Sequence, residues 1–170
     1  FAHVVTGIIR HPAATLREVI ANPVQSYAAV LAAAGGVYWA LNLAIAWAGM
    51  GDLPLAGILA ALIVVGIPAG ISYLYVLTIL FDWSCDMLGG QPMRRQIRML
   101  LACAGIPGII ALVLFGASKL LIYGATMFAP ERPWLESNPA IVWGLWFGDA
   151  LAFAWSLLLV IKGVKIMYGF

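Results

Sequence analysis

Four long apolar runs alternate with short polar breaks along this chain. They cover about residues 26–49, 54–81, 97–127 and 140–161. Each is long enough for the roughly 20 residues that carry a helix across a bilayer. Ahead of them, residues 1–23 follow a different pattern. Phe1, Val4, Val5, Ile8 and Ile9 fall on one helical face, while His3, Thr6 and Arg10 fall elsewhere. Pro12 suits the first position of a second short helix, and it biases His11 away from helix. Leu16, Val19 and Ile20 continue the apolar stripe, and Arg17 and Glu18 leave it. Such a segment lies in the membrane interface rather than spanning it. Asn22-Pro23 breaks it off.

The runs differ internally. In the first, Ala28, Ala32, Gly36, Ala40, Ala44 and Ala48 recur every four residues. This small-residue groove admits a neighbouring backbone and predicts a helix buried in a bundle. A turn at 49–52 follows, with Asp52 and Pro54 placed to start the next helix. The second run holds a Gly66/Gly70 pair suited to close packing and, between them, Pro68, which is expected to kink the helix. Asp82, Trp83, Ser84, Cys85 and Asp86 mark its interfacial end. The third run is longer than a straight crossing needs, so it must tilt or bend at Pro107. Lys162 and Lys165 close the fourth. The apolar residues 164–170 lead toward a further helix, and the opening at Phe1 suggests a fragment. The fold class is therefore an all-α polytopic transmembrane bundle, with four spans here, a fifth expected beyond, and an interfacial amphipathic segment in front.

Composition agrees with this class. The chain is 64% hydrophobic and 9% charged, against about 25% charged residues in an ordinary soluble domain. A net charge of +2, spread along 170 residues, does not suit nucleic-acid binding. Cys85 and Cys103 make no disulfide framework, and Cys85 lies at a basic end where thiols stay reduced. Arg10, Arg17, Arg94, Arg95, Arg98, Lys162 and Lys165 fall on one side of four alternating spans; Arg132 falls on the other. Basic residues favour the cytoplasmic side, which puts the N-terminus there. No Ser/His/Asp set, HExxH or phosphate loop is present, so neither enzyme nor cofactor is expected.

The candidate chemistry lies inside the spans. Lys119 and Asp149 each cost about 2.5–3.5 kcal/mol to insert, which makes them functional candidates by default. Counted from the outer ends of their spans, both lie roughly 12–14 Å deep, and Asn42 lies at a similar level. The three are expected to share one polar cluster, either a register-fixing ion pair or part of a solute pathway. Asp82 and Asp86, with Cys85 and His3 or His11, are weak candidates for a cation site; pairing with Arg94, Arg95 or Arg98 is the plainer expectation. These arginines set topology and can contact anionic lipid headgroups. Pro68 and Pro107 interrupt oppositely directed spans, as in some transporters, although polar groups around them are sparse. Tyr73 and Tyr75 read as packing residues.

Several stretches carry a resemblance in one order along the chain. They are His11-Pro12-Ala13-Ala14-Thr15-Leu16-Arg17; Leu88-Gly89-Gly90 followed by Arg98 and the small-residue segment ending at Pro107; and Lys162-Gly163 followed by Tyr168-Gly169-Phe170. This set resembles the Yip family of Ypt/Rab-interacting membrane proteins. The resemblance implies a five-span bundle with a cytoplasmic N-terminus and no catalytic motif. For eukaryotic relatives it implies binding of prenylated small GTPases and a role in vesicle traffic. The chain looks closer to bacterial members, which implies the bacterial inner membrane. The expected function is a non-enzymatic scaffold working through lipid, membrane-protein partners or self-association. The alternative is a small channel or transporter built on Asn42, Lys119 and Asp149.

Overall fold

A computed structural model describes residues 2–87, 93–131 and 134–168. The Leu88-Gly89-Gly90 turn and Arg132 lie outside the described residues. Two short helices, α1 (Ala2–Arg10) and α2 (Pro12–Ala21), precede α3 (Gln25–Trp47) and α4 (Leu55–Met87). A segmented stretch follows: α5 (Arg94–Ala104), α6 (Ile106–Ala111), a π turn (Leu112–Gly116), α7 (Ala117–Tyr123) and a 3-10 turn (Gly124–Phe128). The short α8 (Trp134–Ser137) leads into α9 (Pro139–Tyr168). The described residues contain no strand. Gln25–Trp47, Leu55–Met87, Arg94–Phe128 and Pro139–Tyr168 are long and apolar enough to cross a membrane.

The buried helix of the bundle is not α3. In the most apolar window of each span, 56% of the third stretch is buried, against 28% for α3 and 17% for α4 and α9. The small-residue stripe of α3 explains why. It covers one side only, where α4 packs, and elsewhere around the helix Val30, Trp39, Leu43 and Trp47 stay exposed. On the covered side, Gly36 meets Gly66 and Gly70. A Cβ built on Gly70 would lie 2.6 Å from the Gly36 Cα, and one on Gly66 would lie 2.8 Å from the Val37 Cα. The two backbones therefore touch, which is what small residues permit between membrane helices.

Pro68 lies on the exposed side of α4, and the helix runs on through it. Pro107 acts differently. The helix breaks at Gly105, and Pro107 falls in the first turn of α6, where its missing N–H costs nothing. The helices also outrun the apolar runs. α4 continues through the Asp82–Asp86 stretch to Met87, and α9 continues through Lys162 and Lys165 to Tyr168. Neighbours explain these extensions: α4 packs on α5, and α9 packs on α2 and α5.

Two apolar cores form at opposite ends. One joins Ile8, Leu16, Val19 and Ile20 to Met99, Leu100 and Cys103, with Val160 and Val164 against it. It docks α1 and α2 on α5 and the end of α9. The helices joined here carry Arg10, Arg17, Arg94, Arg95, Arg98, Lys162 and Lys165. The other core joins Leu41, Ala44, Ile58 and Leu62 to Met127, Phe128, Trp134 and Val142.

Candidate functional site

Four polar side chains meet between the two cores. The Lys119 ammonium on α7 donates to the Asp149 carboxylate on α9, and the same nitrogen donates to the Asn42 Oδ1 at 3.4 Å. The Tyr38 hydroxyl donates to the other Asp149 oxygen at 3.1 Å. Asn42 closes the set by donating from Nδ2 to the Tyr38 carbonyl at 3.0 Å. Lys119 is buried, with 7% of its surface exposed, and the Asp149 side chain keeps 18%. One ammonium thus faces one carboxylate, and a neutral amide and a phenol take the remaining hydrogen bonds. Such satisfaction is required when charge enters an apolar layer.

Local structure places each group. Asn42 is one helical turn beyond Tyr38 on α3, so both point to the same side. The π turn aims Lys119. The Ala117 N–H bonds the Leu112 carbonyl five residues back, which takes up one residue and turns everything after it by about 100° relative to an unbroken α-helix. Glycines make room for the rings. The Tyr38 ring lies where a Gly108 side chain would be, 3.1 Å from the built Cβ, and the Phe115 ring lies against Gly148 beside Asp149.

Asn42, Lys119 and Asp149 come together here. Tyr38 was not anticipated from the sequence, although its spacing of four from Asn42 was the available signal. A crevice of about 10 Å³ adjoins Lys119, lined also by Tyr123, Trp134 and Trp146. The Tyr123 hydroxyl is buried without a hydrogen-bond partner among the described residues. A larger cavity, about 380 Å³, lies elsewhere between α3, α4 and α5. Gly35, Gly36, Trp39, Gly70, Tyr73 and Leu101 are among its lining, and none of the four polar residues is.

The remaining candidates separate. Arg94 pairs with Asp82, Nε to Oδ2 at 2.6 Å. Arg98 stacks on Tyr75, its guanidinium carbon 5.1 Å from the ring centre. Arg95 offers its carbonyl to the Gln25 side chain at 3.4 Å. Among the described residues no three His, Cys, Asp or Glu side chains gather as metal ligands. Asp82 is taken by an arginine and Asp86 is exposed. Gly66 and Gly70 form the α3 contact, while Pro68 stands outside it and Pro107 starts α6.

No curated protein and no solved structure matches the chain at a significant level. The sequence model of the Yip1 domain matches residues 6–170, nearly the whole length. Four membrane-crossing helices, an apolar exterior and that match lead to one conclusion: the chain belongs to the Yip family of integral membrane proteins.

Proposed function

We propose that this protein is a non-enzymatic membrane scaffold of the trafficking or membrane-organising type, working through lipid contact and membrane-protein partners or self-association. Residues 1–170 act as one transmembrane unit. Its N-terminus and basic end face the cytoplasm, in a membrane that corresponds to the inner membrane of a bacterium. In this reading Asn42, Lys119 and Asp149, joined by Tyr38, lock the register of α3, α7 and α9 and carry no solute. Arg94, Arg95 and Arg98 hold the cytoplasmic surface, and Asp82 and Asp86 bind no metal.

One observation carries the reading. The charged pair spends its hydrogen bonds on itself and on two α3 side chains, and the larger cavity contains none of these groups. A pathway needs the polar level to open onto water. The alternative of a small channel or transporter rests on the charged pair itself, since Lys119 and Asp149 lie inside spans where ionisable groups are costly.

Liposome flux separates the two. Purified protein and its Asp149→Asn variant are reconstituted and tested against a panel of ions and small solutes. The scaffold reading expects no flux above empty liposomes from either. Flux that depends on Asp149 would replace it with the pathway.

A further inference from the structure

We propose that the edge between α4 and α5 binds the phosphate of an anionic membrane lipid, held by the Arg98 guanidinium on the Tyr75 ring. Arg94 and Arg98 lie one turn apart on α5. Opposite them on α4, Asp82 and Tyr75 lie two turns apart. Two arginines of similar appearance in sequence thereby become chemically different. Arg94 is neutralised by Asp82. Arg98 meets an aromatic face and no carboxylate among the described residues.

The Arg98 Nε is buried with no hydrogen-bond acceptor among those residues. The connection at 88–92 contains no acidic residue that could supply a carboxylate. The terminal nitrogens of the same guanidinium are not buried in this way, and Arg98 as a whole is only half-buried, so these are the donors a lipid phosphate can reach. The contact with Tyr75 holds the guanidinium against the ring, and its terminal N–H groups suit phosphate oxygens.

The surroundings select a lipid over free phosphate. Tyr75, Val76 and Ile79 are all exposed on α4, in a span whose exterior faces acyl chains. A lipid bound at Arg98 lays its chains on these residues. The charge of this end points the same way: Arg10, Arg17, Arg94, Arg95, Arg98, Lys162 and Lys165 outnumber Glu18, Asp82 and Asp86. Basic surfaces of this kind favour anionic leaflets. The inference deepens the lipid-contact part of the proposed function and rests on that part alone. Flux reads transport and the following test reads headgroup preference, so either can fail without the other.

The test is binding to the purified protein by native mass spectrometry, with phosphatidylglycerol, phosphatidylcholine and inorganic phosphate as probes. Phosphatidylglycerol is expected to bind at least about tenfold more tightly than phosphatidylcholine, the yield of one charge-assisted contact. Arg98→Gln should abolish the preference, Arg98→Lys should keep part of it, and Arg94→Gln should keep most. Tyr75→Leu leaves every charge in place and should cut the preference several-fold, which covers the case in which Arg98→Gln does not fold. Equal binding of the two lipids by the unaltered protein overturns the proposal. So does inorganic phosphate competing as well as lipid, or a preference that survives both Arg98→Gln and Tyr75→Leu.

Discussion

Lys119 and Asp149, 30 residues apart in the chain, form an ion pair between α7 and α9 at the level where α3 presents Tyr38 and Asn42. The pair therefore ties three membrane helices together at one height. Its carboxylate is held from two sides, and its ammonium bonds both a charge and an amide. An arrangement of this kind resists loss of either member more than loss of both.

A double-mutant cycle tests that coupling. Asp149→Asn or Lys119→Met alone strands a charge in an apolar layer and should cost about 3 kcal/mol or more. The double variant should cost clearly less than the sum. Tyr38→Phe removes one bond to the carboxylate and should cost about 1 kcal/mol. Unfolding of the detergent-solubilised protein reads all four. Additive single effects would mean that the two charges act separately.

The glycine contact between α3 and α4 makes a sharper steric prediction. Gly70→Ala places a methyl group against the Ala32 carbonyl and the Gly36 backbone, neither of which can turn aside. Overpacking there should cost about 1–3 kcal/mol. Gly35→Ala, one residue from Gly36 but facing open space, should stay within about 0.5 kcal/mol. Thermal unfolding of the two variants side by side decides whether the contact or the mere presence of glycine matters.

The π turn can be tested by changing chain length. Deleting Val113, an exposed residue of the turn, should close it to an α-helix and leave Lys119 facing Asp149, with the pair's coupling energy retained. Inserting one alanine at the same place should rotate Lys119 by a further 100° or so and abolish that coupling. The cycle above, repeated in each background, gives the answer. Loss of coupling on deletion would show that the turn does not set the phase of Lys119.

Much of the class was legible in the chain itself. Hydropathy and length determine how many helices cross, because an apolar run of that length has few other stable states in water or lipid. The N-terminal stripe of Val4, Val5, Ile8, Leu16, Val19 and Ile20 marks the face by which α1 and α2 pack, because its periodicity matches one helix face. Charge inside spans marks Lys119 and Asp149, because an unpaired charge is too costly there.

Tertiary structure decided what periodicity cannot express. The stripe on α3 predicts a close neighbour but not which helix sits centrally, since burial depends on all sides of a helix and the stripe describes one. Pro68 and Pro107 occur in the same Gly-Ile-Pro setting, yet one lies on an outer face of a continuous helix and the other starts a new helix after a break. The phase of Lys119 depends on a π turn that no spacing announces. Tyr38 joins the cluster because Gly108 leaves room for its ring, and that vacancy belongs to a different span. Each of these is a contact between distant parts of the chain. The pattern along a single helix names the residues that need partners, and only packing selects which partners they obtain.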